Sequence, residues 1–382
     1  MPAISIQPDA LGSSVPPLVL TDPVARPIER PWLIQRIGLS MIRDPRDLTF
    51  LAHMIVLSIV VMGTAALFYV LDITGRFEWW MGLIYFAVLH GDLLARFMLM
   101  QHNAAHRTLF TKKLRILNLY IPWVLGPFFG QTPNTYFSHH IGMHHPENNL
   151  EEDDSCTMPY QRDSILGFAH YYITFIFTGM FSLVSYLRRK NRHRLAREAL
   201  IGEVIWIAVA VGLMFVAPWA TLWIFILPLF TVRFLMMSGN WGQHAFIDAA
   251  EPGNCYRNSI TCINVRYNKV AFNDGYHISH HLKATRHWTE HPQELLDNLE
   301  TYGREDAIVF TGIDFHGVWV LLMLKQYRWL ARHFVKLPGA PDRSLDEIVA
   351  LLRERTRRIP PGQPTPATKT GQATGPASDQ VA

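Results

Sequence analysis

Eighteen of the 382 residues are histidine, and half of these fall in three short clusters. HNAAH holds His102 and His106. HHIGMHH holds His139, His140, His144 and His145. HISHH holds His277, His280 and His281, and NWGQH adds Asn240 and His244. Residues i and i+4 lie on one face of a helix, about a turn apart. His102/His106, His140/His144, His277/His281 and Asn240/His244 all have that spacing, so each pair can aim two side chains at one point. His145 and His280 stand beside them. At this histidine frequency an HxxxH arises by chance roughly once in such a chain, so HNAAH alone decides little. HxxxHH or HxxHH arises only about 0.04 times each, and the chain has both. The chemistry is metal binding, because neutral imidazole is the commonest metal ligand. Nine histidines exceed the four ligands of a tetrahedral zinc site. They suit two six-coordinate ions with positions left open for oxygen and water. Imidazole serves iron, zinc, copper and nickel, so ligand type alone leaves the metal open. No HExxH is present, which weighs against a zinc protease. Between His139 and His140, only His140 completes HxxxHH, and it is preferred.

The elements that position these residues belong to a membrane protein. Hydrophobic residues make up 49% and charged residues 17%. The net charge of +4 is small and dispersed, which excludes a nucleic-acid binder. Cys156, Cys255 and Cys262 form neither a disulfide scaffold nor a CxxC site. Four apolar runs are long enough to span a bilayer: 49–71, 77–100, 199–217 and 219–237. A fifth, 165–187, carries His170 and three tyrosines. The shorter run 116–129, with Pro122, Gly126 and Pro127, reads as interfacial or re-entrant. If all histidine clusters share one side, an even number of crossings separates 145 from 277. One of the three runs between them then does not cross. The run 165–187 is selected, because the basic stretch RRKNRHRLAR (188–197) follows it and marks the cytoplasmic side. The expected fold is an all-α integral membrane protein with about four transmembrane helices as two hairpins, turning at 72–76 and 217–219. A cytoplasmic helical cap holds the histidines, and both termini are cytoplasmic.

Residues 1–48 form a polar N-terminal segment with no apolar h-region, so no cleaved signal peptide is expected. Residues 336–358 form an amphipathic C-terminal segment, and 359–382 a low-complexity tail expected to be disordered. Asp92 and Arg96, at i,i+4 in the second run, read as a buried ion pair. His90 is too far along the helix from His102 to be a direct ligand. His287, His291, His316 and His333 are isolated and expected at the surface or interface. Glu147, Glu151, Glu152, Asp153 and Asp154 read as a solvated loop. The alternative is a carboxylate that orients a histidine. Trp79, Trp80, Trp219 and Trp223 read as interface-belt residues.

The series HNAAH, HIGMHH, HISHH resembles the three histidine boxes of the membrane fatty acid desaturases, a superfamily that includes alkane and carotenoid hydroxylases. The resemblance covers about residues 49–335. It implies a di-iron centre that activates O2 above the ends of the membrane helices. Carried over box by box, it gives His102 and His106; His140, His144 and His145; and His277, His280 and His281. NWGQH resembles the extra Asn/His pair of acyl-CoA desaturases, giving His244 and Asn240, the latter through water. No catalytic residue separate from these ligands, and no organic cofactor, is expected. Asn103 stands where many relatives carry Asp or Glu. No haem electron-carrier motif is fused to the chain, so reducing equivalents come from a separate electron-donor protein.

The resulting expectation is a membrane acyl-lipid or acyl-CoA desaturase with two iron ions, O2 and a lipid substrate. A di-iron hydroxylase of alkanes, lipids or carotenoids is the first alternative. A non-catalytic membrane metal-binding protein or transporter is the second. Whether the membrane is a bacterial inner membrane or an endoplasmic reticulum stays open.

Overall fold

A computed structural model describes residues 4–5, 18–26 and 28–362. Most of the tail expected to be disordered, residues 363–382, lies outside the described residues. The chain is mostly helical. Five helices are long and apolar enough to cross a membrane: Pro45–Ile73, Trp79–His106, Ile165–Arg189, His193–Val216 and Pro218–Gln243. Their outward side chains are apolar, with Ile59, Val70, Phe181, Val204 and Phe215 all exposed. A patch of that extent in water would be an aggregation surface, whereas lipid covers it without cost.

Two turns between long helices meet at the end remote from the histidines. The first turns through Gly75, whose φ of 68° is the left-handed conformation that glycine adopts without strain. The second turns at Pro218. Asp72 Oδ2 accepts from the backbone N–H of Ala220 at 2.8 Å, and Tyr69 Oη lies 2.9 Å from Thr221 Oγ1. These bonds tie one turn to the other. Trp223 packs on Gly82, where a Cβ would lie 2.1 Å from its ring. This tryptophan is therefore a packing residue inside the bundle. Trp79, Trp80 and Trp219 remain exposed, as belt residues would be.

The helix Ile165–Arg189 runs differently from the other four. Near its start, Phe168 and Tyr171 pack on Trp241, in the last turn of Pro218–Gln243. Near its end, Leu183, Tyr186 and Leu187 pack with Met143, Ala196 and Ala199. Ala196 and Ala199 lie in the first turns of His193–Val216. Both of its ends thus lie at the histidine end of the bundle.

The run 116–129 is a broken helix of 3-10 and π turns through Leu119, Leu125 and Phe129. Ile121, Leu125 and Phe129 are buried, and Phe129 stacks on Phe97 at 4.0 Å. The chain then passes Pro228 so closely that a Cβ on Gly130 would lie 2.3 Å from the Pro228 carbonyl oxygen.

The expected all-α fold needs two small additions: Ile4–Ser5 pairs antiparallel with Val19–Leu20, and a second pair of strands follows. Ile260–Ile263 and Ile308–Thr311 pair as two parallel strands within the layer that follows the last long helix. Both strands are β-branched and almost wholly buried, which suits a strand covered on both faces. The C-terminal amphipathic segment forms the helix Leu345–Arg355, burying Ile348 and Leu352 against Tyr327 and Leu330. The polar N-terminal segment also joins this layer. Asp22 is buried and accepts from Tyr276 Oη at 2.7 Å and from the Asn264 N–H at 2.8 Å.

Candidate metal centre

The first box occupies the last turn of Trp79–His106, which ends where Arg107 turns extended. The second lies in a segment from Thr135 to Glu147 that opens at Asn134, φ 60°. Its centre, His140–His144, is a π turn. The third is the short helix His277–Leu282. His244 directly follows the last turn of Pro218–Gln243.

All nine histidines named from the sequence come together, in two adjoining groups. His102, His106, His140 and His280 form one; His144, His244, His277 and His281 form the other. His145 completes the first, with its Nε2 3.1 Å from that of His140 and 2.9 Å from that of His280. The groups abut where the His145 ring lies 5.1 Å from the His281 ring.

One expected pairing is overturned. His140 and His144 do not aim at one point but belong to different groups. The π turn is the reason. Its hydrogen bonds run from i to i+5, so the turn is wider than an α turn and carries His145, not His144, back over His140. His102/His106 and His277/His281 sit on ordinary α turns, and each pair stays within one group.

The rings point inward through Nε2. His144 Nδ1 donates to the Asp153 carboxylate at 2.7 Å, and His244 Nδ1 to the Asn258 carbonyl oxygen at 3.0 Å. Both partners are acceptors, so the proton sits on Nδ1 and the Nε2 lone pair faces the group centre. Burial holds His140, His145, His277, His280 and His281 well below the usual imidazole range, and their neighbouring rings add to this. Burial, then His144, brings His244 to about 4. These rings are neutral at physiological pH, the state in which imidazole binds metal. The Nε2 separations also fit. They run from 2.9 to 3.2 Å, between His106 and His140, His102 and His280, and His244 and His277. Adjacent nitrogens about 2.1 Å from a six-coordinate ion lie about 3.0 Å apart.

The acidic stretch is only in part the solvated loop expected of it: Glu151 and Glu152 are exposed, but the residues after them turn inward. Asp153 is fully buried and also accepts from the N–H groups of Asn149 and Ser155. Burial alone would raise its pKa, but the His144 ring, then His139 and the Ser155 hydroxyl, hold it well below the carboxylate range. Asp154 accepts from Ser182 Oγ, and burial raises it to about 6. The orienting role of a carboxylate, considered from the sequence, thus falls to Asp153. Sequence reasoning missed Asn258, Tyr136 and Arg162. Tyr136 Oη lies 3.2 Å from His102 Nδ1. Arg162 is fully buried and donates to six carbonyl oxygens, those of Thr157, Met158, Tyr160, Ala245, Arg355 and Arg357. It fastens the chain beside His244 to the C-terminal segment. No local pattern marks these residues; Tyr136 and Asn258 meet histidines from other elements, and Arg162 joins nearby carbonyls to those of Ala245, Arg355 and Arg357.

Several other polar residues have partners of their own. Asn240 donates through Nδ2 to the Ser155 carbonyl oxygen and to Tyr171 Oη, both at 2.9 Å. His139 is outside both groups, its buried Nε2 4.0 Å from Asp153. His90 bonds to Thr231 and the Phe86 carbonyl. The Asp92–Arg96 pair forms at 3.0 Å but is not buried, with the Asp92 side chain 57% exposed. His287 and His291, expected at the surface, are buried: His287 bonds to Asp47 at 3.0 Å and His291 to Ser279 at 2.8 Å. His316 and His333 are half-buried, each on a backbone carbonyl. Asp44, Asp47 and His287 also cluster, but Arg46 and Arg107 already neutralise Asp44 at 2.8 and 2.5 Å. That cluster braces the start of the first long helix against the loop after the third box.

The model of the fatty acid desaturase family matches residues 77–311, more than half of the chain and all three boxes. No curated protein and no solved structure matches the chain.

Proposed function

The chain belongs to the fatty acid desaturase family, and on that premise we propose that it is an O2-dependent di-iron desaturase of membrane acyl chains. Membership itself makes it a metal-dependent oxidoreductase acting on lipid at a membrane. The observation that carries the finer reading is the convergence of nine imidazoles in two adjoining groups, each with inward Nε2 atoms. In this reading His102, His106, His140, His145 and His280 hold one iron, and His144, His244, His277 and His281 the other. Asn240 contributes through water. Bound there, iron supplies the activation of O2 needed to remove two hydrogens from neighbouring unactivated methylenes. The protein fixes the geometry around it. Asp153 and Asn258 keep the proton on Nδ1 of His144 and His244 and stop those rings from turning. The apolar helices offer an acyl chain about 0.8 kcal/mol for each CH₂ they bury. A separate protein donates the electrons.

Four crossings are proposed, with the histidines and termini on the cytoplasmic side. The contacts at both ends of Ile165–Arg189 support this count, since a helix with both ends at one face does not cross. Hydroxylation of an alkane, lipid or carotenoid is the second reading, because it uses the same oxidant. A metal transporter would hold its ion near the bilayer midplane on broken helices. Here the groups stand at helix ends, which favours catalysis.

Lipid profiling of cells expressing the chain, beside His280→Ala, tests the proposal. A new double bond that vanishes in the variant is expected. A new hydroxyl group would move the assignment to the hydroxylases. Bound iron well below about two per chain in the purified protein would overturn the di-iron reading.

A further inference from the structure

We propose that the outer face of Ile165–Arg189, near its C-terminal end, is a binding site for one anionic phospholipid. A groove of about 410 Å³ lies there, lined by Met180, Phe181, Val184, Ser185, Arg188, Arg189 and Leu200. Its two ends differ in chemistry. Phe181 is 79% exposed, and Phe177, one turn earlier, is 71% exposed, so an apolar track leads along the helix into the groove. The other end carries two guanidinium groups. Arg188 is exposed, and its guanidinium makes no hydrogen bond or ion pair among the described residues. Arg189 donates to Ser185 Oγ at 3.1 Å and stands 3.8 Å from the Glu152 carboxylate, with 59% of its side chain exposed. Lys190, by contrast, is committed to Glu152 at 2.5 Å and Glu147 at 3.2 Å. The nearby acids are thus drawn towards Lys190, and the arginine pair keeps unspent positive charge. A phosphodiester satisfies two guanidiniums through several donors at once, while an acyl chain covers the apolar track. A free anion would leave that track bare, and a zwitterionic lipid would add its own cation beside the arginines.

The placement matters because the opposite face of this helix packs on the second box. Leu187 lies against Gly142, and Tyr186 Oη donates to Glu147. A lipid on the outer face would hold the helix against the box-two turn. The inference rests on this helix lying along the membrane surface, as in the four-crossing reading, and not on the reaction catalysed.

Native mass spectrometry of the full chain in neutral detergent, titrated with phosphatidylglycerol, tests it. One retained phosphatidylglycerol per chain is expected, with phosphatidylcholine not retained. R188Q/R189Q should weaken retention roughly 25-fold, at roughly fivefold for each arginine near an anionic lipid. R188K/R189K should recover most of it. Phe181→Ala should weaken retention several-fold with both arginines in place, which keeps the test open if the double variant folds poorly. Equal retention by R188Q/R189Q and the parent overturns the proposal. So does equal retention of phosphatidylcholine, or displacement by millimolar inorganic phosphate, which would reveal a simple anion site. A chain that retains phosphatidylglycerol but forms no oxidised lipid would count against the desaturase reading and leave this site standing.

Discussion

In the four-histidine group, two of the four rings are held from behind: Asp153 grips Nδ1 of His144, and Asn258 grips Nδ1 of His244. In the five-histidine group, the one Nδ1 partner among the described residues is the Tyr136 hydroxyl on His102. The rings of that second set are held instead by the elements that carry them and by each other. His145, for example, lies with its ring 4.4 Å from that of His106 and 4.6 Å from that of His140. The contrast follows from backbone. His102 and His106 sit on a long helix buried on much of its circumference, whose packing already fixes them. His244 lies past the end of its helix and has no helical turn to aim it. At His244, where the backbone does not orient the ring, a buried acceptor does, and His144 has such an acceptor although it sits within a helical turn.

This contrast can be broken in order of expected effect. Arg162→Met should be the most severe. It removes one donor from six carbonyl oxygens, of which those of Thr157, Met158 and Arg355 keep a backbone N–H partner, and costs about 3 kcal/mol or more. The thermal midpoint of the purified protein should fall, and metal should leave the four-histidine group first as the chain around Ala245 loosens. Equal loss from both groups would mean that Arg162 supports the whole layer alike. Next is Asp153→Asn. Loss of a carboxylate behind a ligating histidine weakens metal binding about 10–100-fold. Iron analysis under mild chelation should then approach one ion per chain, with the five-histidine group keeping its own. Retention of the full complement would show that the buried carboxylate does not support metal at all.

A smaller effect concerns pH. Asp154 titrates near 6 in the folded chain, above its unfolded value near 4, because burial disfavours its charge. Its contribution to stability is therefore complete below about pH 4 and is lost as pH rises through 6, a change on the order of 2 kcal/mol. Asp154→Asn, still able to accept from Ser182, should flatten that part of the profile of thermal midpoint against pH. An unchanged slope would place the titration elsewhere. The mildest change is Tyr136→Phe, which removes one hydrogen bond worth about 1 kcal/mol. It should lower iron affinity at the five-histidine group only a few-fold. A loss as large as that from Asp153→Asn would erase the distinction between the two groups.

Much of the site was legible in the sequence. Metal-binding histidines must recur at helical spacing, and the membrane helices must be long and apolar, because both requirements act on neighbours along the chain. These local rules identified the nine histidines that converge and the long helices that carry the first box and lead into His244. They also misread the second box, since an α spacing was assumed where the chain adopts a π turn. Nothing in HHIGMHH distinguishes the two turns; packing of Gly142 against Leu187 and Leu195, and of Met143 beneath Tyr186, accompanies the wider one. The isolated residues His287 and His291 were misplaced because burial depends on what folds over a residue. Asp47 and Ser279 supply partners from other elements.

The sequence by itself picked out the nine histidines that converge, and placed His102, His106 and His244 at the ends of apolar helices. Only the tertiary structure decided how nine imidazoles divide into five and four, and which rings need Asp153, Asn258 or Tyr136 behind them. Ligand type and helical period are properties of short stretches, whereas the direction of a lone pair is set by contacts between residues up to 178 positions apart, as His102 and His280 are.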